Sequence, residues 1–359
     1  MTAKITRVRA VTLAGPDFAP GDETQFVVVA SDDYDGWYGP IPAVFTPRLV
    51  QMFTRCLVGR PVEDHDDLQH RIQAAVTRNA LARSIARWAV GALDCAGWDL
   101  HGRIVGRPVA ELLTAEAAES VPLYASHLSV ELVSPDIVAE RQDLAAAGFR
   151  LTKWSLRQPP TGASEPLLAA MRRLMEDAPH PLAFDGHGTW SAESIPILGE
   201  LSRADHLWWL EDLLSTSTAG AYRNVASTNT KVAVGERLVD VPAAIQIVRE
   251  TAVSTLTPDV VWLGGITPTT RLLRDTNFRK LPVFLHGRAY LPALQVAAAF
   301  DDTVGAVEFR IQWEPRRQRL YQRPSLPRQG AADIGGVGLG GMPDLAKYQC
   351  TTIDGWERI

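Results

Sequence analysis

Cysteine is scarce. Cys56, Cys95 and Cys350 are the only three, and they lie far apart with no C-x-x-C pair. That excludes a disulfide framework and a four-cysteine zinc site, and reduced, mostly buried thiols of a cytoplasmic protein are the expectation. No apolar run approaches the ~20 residues of a membrane span, and the first residues carry charges without the apolar core of a signal peptide. Neither sign of charge dominates. The formal net charge of -5 gives no field that draws the protein to nucleic acid or to an anionic membrane, so neither is expected as a partner. The densest basic run, Arg316, Arg317 and Arg319, stands beside Glu314 and reads as a solvated loop.

What is present is an ordinary globular composition, 46% hydrophobic and 21% charged, over a length of 359 residues that admits two domains. Residues 1 to about 118 begin with two β-rich runs, 5–13 and 25–30, followed by a turn at 32–36 and helices near 47–57 and 66–76. A long helix over about 80–101 closes this α+β segment, its Ile85, Trp88, Ala89, Ala92, Ala96 and Trp98 keeping near-helical spacing. From Val121 onward, short apolar strands alternate with helices. The pattern predicts strands at 121–124, 151–155, 182–185, 207–211, 232–236, 253–259, 283–286 and 306–309, with helices such as 136–147, 165–177, 192–203 and 241–252 between them. Eight such strands favour a parallel (β/α)8-type barrel, with a doubly wound open sheet as the alternative.

The polar residues favour the barrel. Asp185, Glu211, Glu236, Asp259 and His286 each end a predicted strand, at spacings of 26, 25, 23 and 27 residues. A strand, a helix and two loops take about that many residues, so the five side chains come to one level around one mouth, the C-terminal face where barrels do chemistry. Any one of them alone would read as a helix cap or a loop acid. Three carboxylates on consecutive strands repel one another unless neutralised, and an all-oxygen set suits Mg²⁺ before zinc. Lys153 and Ser155 share one face by period-two alternation, and the same argument places His187 on the face of Asp185.

These residues resemble the enolase superfamily, and within it the mandelate racemase subgroup. The segment ending Trp98-Asp99-Leu-His-Gly102 is similar to the family's W-D-x-x-G helix end. Glu211-Asp212-Leu-Leu resembles its E-E-P-L segment, Gly235-Glu236-Arg237-Leu its G-E-R-L/M segment, and Asp259 through Gly264-Gly265-Ile-Thr its "QPD…GGIT" strand. His286-Gly287, with Pro292-Ala-Leu after it, resembles the "PHG…AALH" segment of acid-sugar dehydratases. The resemblance implies a C-terminal barrel at 119–340 beneath an N-terminal α+β capping domain at 1–118, with 341–359 returning toward the cap, in a homo-oligomer. It also implies that Asp185, Glu211 and Glu236 bind Mg²⁺, that His286 is a general base paired with Asp259, and that Glu308 and Arg237 contact a small carboxylate substrate.

Departures from the family bear on the reaction. Strand two of racemase-like members carries K-x-K, whereas this chain has Lys153-Trp-Ser155, and a serine hydroxyl cannot serve unaided as a second base. Asp185-Gly-His187 resembles the D-x-H of dehydratases whose histidine protonates a departing hydroxyl. The expectation is therefore an acid-sugar (aldonate) dehydratase with His286 as base, His187 as acid and Lys153 neutralising the carboxylate. An epimerase using Lys153, or a metal-binding barrel acting as a sensor, are the rival readings. Gly336-Val-Gly338-Leu-Gly-Gly341 satisfies G-x-G-x-x-G but has no room after it for a βαβ unit, and reads as a loop.

Overall fold

A computed structural model of the chain describes residues 2–19, 21–78, 85–159, 164–199, 206–225, 230–275 and 280–355. Strands β1 (Arg7–Ala14), β2 (Gln25–Ala30) and β3 (Asp35–Ile41) form an antiparallel meander. A strand from the far end of the chain, Gln349–Asp354, pairs with the free edge of β1. Helix α1 (Pro47–Leu57) starts on a proline, which lacks only an N–H that would be unpaired there. It buries Leu49, Val50, Phe53 and Leu57 on one stripe. Helices α2 (His65–Arg78) and α3 (Ala86–Val105) complete the layer. Residues 80–84 of the expected long helix lie outside the described residues.

Strand β3 is absent from the sequence reading, which took 32–36 as a turn. Glycine and proline within 35–41 disguise it, since both are depleted in strands. Packing explains Gly36, where a Cβ would come within 2.2 Å of the Ala96 carbonyl oxygen on α3. The W-D-x-x-G segment has an equally local purpose. Asp99 is fully buried and accepts from the Trp37 amide at 2.7 Å, the Leu339 amide at 2.7 Å and Arg103 Nε at 2.6 Å. One carboxylate thus ties α3 to β3 and to the glycine loop at 335–341, which is a loop as expected.

The barrel consists of β4 (Ser120–His127), β5 (Thr152–Ser155), β6 (Leu182–Asp185), β7 (Leu207–Glu211), β8 (Val232–Val234), β9 (Thr255–Leu256), β10 (Val283–Leu285) and β11 (Val304–Arg310). All neighbours are parallel, and β11 closes the ring onto β4. A short antiparallel strand, Ala331–Asp333, adds to β4 outside it. Within the ring, Tyr124, Trp209 and Phe284 interlock, Trp209 lying 4.8 Å from Phe284 and 5.9 Å from Tyr124 between ring centroids. Ala183, Ala233 and Ala306 leave room for them. This plug is the floor on which the polar mouth stands. Among the described residues no helix is long and apolar enough to cross a membrane.

Three smaller expectations need correction. The strand expected over 253–259 shrinks to Thr255–Leu256; at its C-terminal side Pro258 cannot donate to a ladder, and Asp259 lies just before the turn at 260–264. Cys350 is exposed, although Cys95 is buried. The run at Arg316–Arg319 is no simple solvated loop: Glu314–Gln318 is a short helix, Glu314 is buried, and Arg317 reaches inward to Glu23 and to the Pro40 carbonyl.

Candidate active site

Parallel register brings three polar residues to one level. Ser155 pairs with Asp185 across β5 and β6, and Asp185 with Glu211 across β6 and β7. Glu236 follows the end of β8, Asp259 that of β9 and His286 that of β10, while Glu308 lies within β11. Lys153 shares the face of Ser155, one step deeper.

Lys153 is the hub. Its Nζ lies 2.8 Å from Glu211 Oε1, 3.0 Å from Glu308 Oε1 and 3.6 Å from Asp185 Oδ2, with no exposure to solvent. Burial favours the neutral amine, but Glu211 and Glu308 outweigh it and hold the ammonium pKa well above its usual value. The second oxygen of Glu211 accepts from Trp209 Nε1 at 2.9 Å. Burial still pushes the Glu211 carboxyl up to about 7 against the pull of Lys153.

His286 is enclosed by acids. Its Nδ1 lies 3.1 Å from Asp259 Oδ2, and its Nε2 faces Glu236 Oε2 at 3.0 Å and Glu308 Oε2 at 3.3 Å. Burial lowers the imidazole pKa, yet Glu308, Asp259 and Glu236 together raise it to about 10. Burial raises Glu236 too, but the His286 contact overrides it and brings that carboxyl down to about 2. Glu308 also accepts from the Gly287 amide at 2.8 Å. Fully buried, it bridges the lysine and the histidine.

His187 occupies a turn, not an extension of β6, so strand alternation is the wrong reason for its position. Its φ of 52° is left-handed. Its amide donates to Asp185 Oδ1 at 2.8 Å, and its Nε2 meets Ser155 Oγ at 3.0 Å. Gly188 follows with φ 68°, where a Cβ would also meet Arg237 Cζ at 2.9 Å. Arg237 donates to the His187 carbonyl at 2.8 Å and lies 3.7 Å from Asp212 Oδ2. The guanidinium thus braces the His187 turn. Asp212 is completely buried, and burial, then Glu236 and Glu211, push its carboxyl well above the usual range.

The donor set of Asp185, Glu211 and Glu236 is all carboxylate oxygen, which suits a hard divalent cation. Asp185 and Glu211 both lie within 3.6 Å of the Lys153 ammonium, whereas Glu236 is turned to His286. Among the described residues no three such side chains close on a single ion position. The acids are drawn instead to the internal cations beside them. The mouth nevertheless carries more carboxylates than cations, so the chemistry of the donor set fits the ion.

Residues 136–347 match the Enolase C-terminal domain-like family, and residues 34–114 match the N-terminal domain of the mandelate racemase / muconate lactonizing enzyme family. The chain belongs to the mandelate racemase/muconate lactonizing enzyme family of the enolase superfamily. A D-galactonate dehydratase family member from Catenulispora acidiphila is 26% identical over 344 residues, covering 86% of this chain and 78% of that protein. Among solved structures, a mandelate racemase/muconate lactonizing protein from Paracoccus denitrificans superposes with a TM-score of 0.80 at 23% identity, covering 98% and 99% of the two chains. L-talarate dehydratase from Polaromonas sp. JS666, complexed with Mg and L-glucarate, superposes with a TM-score of 0.76 at 21% identity, again covering 98% and 99%.

Sequence reasoning named the strand-end residues and missed three others. Tyr124, whose buried hydroxyl has no hydrogen-bond partner, looks like any core aromatic. Trp209, which holds Glu211, is hidden in the apolar run Leu-Trp-Trp-Leu. Arg310 stands two residues after Glu308 and could have been found by the alternation argument that linked Lys153 to Ser155.

Proposed function

We propose that the protein is a Mg²⁺-dependent hydro-lyase that dehydrates an acid sugar. In this reaction His286 removes the proton at C2, the C3–O bond breaks as His187 protonates the departing hydroxyl, and the resulting enol tautomerises to a 2-keto-3-deoxy acid. Bound Mg²⁺, held by Asp185, Glu211 and Glu236, would supply Lewis-acid stabilisation of the negative charge at the substrate carboxylate.

One observation carries the choice of elimination over racemisation. Racemisation requires a second base opposite His286. The one amine in the mouth among the described residues, Lys153, has its Nζ between Glu211 and Glu308, two acids that favour its protonated form. The position beyond it is Ser155, already bonded to His187. His286 is therefore the one base set for C2, and His187 a separate acid. To act as a base His286 must be neutral, and its Glu236 contact favours the proton. With Glu236 engaged by a bound cation that contact would be lost, while Asp259 would still orient the ring. Glu308 then orders Lys153 and His286 relative to each other, and Arg237 fixes the turn that carries His187.

The names of relatives support the same reading, since the galactonate dehydratase family member and the talarate dehydratase are both named for acid sugars. The test is a panel of acid sugars incubated with the enzyme and Mg²⁺ and assayed for 2-keto-3-deoxy acids. At least one should be consumed with loss of water. Exchange of the C2 proton across the panel with no keto acid formed would overturn the assignment.

A further inference from the structure

A cavity of 490 Å³ opens between residues 17–18 and 21–23 on one side and the ends of β10 and β11 on the other, lined by Asp22, Glu23, Arg288, Arg310, Trp313 and Arg317 among others. Its arginines are not equivalent. Glu23 takes both Arg288, at 3.0 Å, and Arg317. Asp22 takes Arg316 at 2.6 Å. Arg310 is left over: only 7% exposed, it has no hydrogen-bond partner at Nε or at Nη2. Glu314 Oε2 stays 3.7 Å from Nη2, and Glu314 Oε1 is already occupied by Gln318 Nε2 at 2.9 Å. Nε and Nη2 are the two donors along one edge of the guanidinium, the edge that meets a carboxylate with two parallel hydrogen bonds. A buried pair of such donors without acceptors is costly, so an edge left free beside a cavity signals a ligand that supplies them.

The position of Arg310 says which ligand. It follows Glu308 by two residues on β11, on the same face and ~7 Å farther toward the mouth by strand rise. A substrate whose first carboxylate lies over Asp185, Glu211 and Glu236, with C2 at His286, would direct its other end to this cavity. We propose that the cavity binds a second, terminal carboxylate, so that the substrate is a dicarboxylic acid sugar (an aldarate) and not the aldonate expected from the sequence. This rests on the dehydratase reading above. A carboxylate suits the site better than a phosphate, because Glu23 and Asp22 already pair with Arg288, Arg317 and Arg316, Arg319 is exposed to solvent, and one buried free fork remains for two oxygens.

The test compares aldarates with the aldonates and 6-phosphoaldonates of matching configuration, in wild type, Arg310→Met and Arg310→Lys. Turnover and calorimetric affinity are both measured with Mg²⁺ present, and folding is checked by thermal melting. Wild type should prefer an aldarate, and Arg310→Met should lower that preference in kcat/KM by roughly 10- to 100-fold, the value of a lost charge-assisted pair. Arg310→Lys should fall between the two, and it carries the test if Arg310→Met does not fold. Equal use of aldonate and aldarate by wild type, a preference for the 6-phosphoaldonate, or a ratio unmoved in the variants would overturn the proposal while leaving dehydration intact. Aldarate binding that depends on Arg310 without any loss of water would keep the cavity assignment and remove the dehydratase reading.

Discussion

The two oxygens of Glu308 are divided between Lys153 and His286, Oε1 lying 3.0 Å from the lysine Nζ and Oε2 3.3 Å from the histidine Nε2. One buried carboxylate therefore couples the fixed cation of the mouth to its proposed base.

The first consequence is for stability. Lys153→Met would leave Glu211 and Glu308 facing each other in the barrel without a cation. Removing one partner of a buried ion pair costs ~3–5 kcal/mol, and denaturant unfolding should show a loss of that size. A change below ~1 kcal/mol, the range of exposed pairs, would show that Lys153 is not the hub described.

Metal binding is tested without turnover. Mg²⁺ in 100-fold excess over its Kd should stabilise the folded protein by ~2.7 kcal/mol, read as a rise in melting temperature that EDTA reverses. Asp185→Asn and Glu236→Gln should lose most of that rise. An undiminished rise in both variants would place the ion elsewhere.

Acid sensitivity should come in part from the capping domain. His65 is buried, stacks on Trp98 at 3.5 Å between centroids, and shares a 2.9 Å hydrogen bond with His101. Burial lowers its pKa to about 3. The folded state thus binds fewer protons than the unfolded state between about pH 3 and 6.5, and stability falls as pH drops through that window. From pH 7 to pH 5 this group should account for a loss of ~2 kcal/mol, and His65→Phe should flatten the slope. An unchanged slope would assign the acid sensitivity to other groups.

Much of this architecture was legible from the chain. Strands at 25–30, 182–185 and 207–211 match the observed β2, β6 and β7, because apolar residues there run unbroken to a sharp polar end. Spacing brought Asp185, Glu211, Glu236, Asp259 and His286 to one mouth because each barrel unit has nearly constant length. What the chain hid was long-range. No local pattern distinguishes Glu211 and Glu236, yet one turns to Lys153 and the other to His286. Arg317 reads as solvent-facing until Glu23, nearly three hundred residues earlier, is placed beside it. Gly36 reads as a turn until α3 is packed against it.

The division of work between the two histidines separates the half-reactions. His187→Asn should lower keto-acid formation by ~10²–10⁴, the usual contribution of a general acid, while exchange of the C2 proton continues through His286. Equal and modest loss of both rates would make His286 base and acid together, with His187 only a binding group.

The most direct test of the account is the fate of one substrate in D₂O with wild-type enzyme and Mg²⁺, followed by NMR and mass spectrometry. The account predicts a 2-keto-3-deoxy acid carrying solvent deuterium at C3, with no epimerised substrate recovered. Substrate returned with deuterium and inverted configuration at C2, and with its 3-hydroxyl retained, would contradict it.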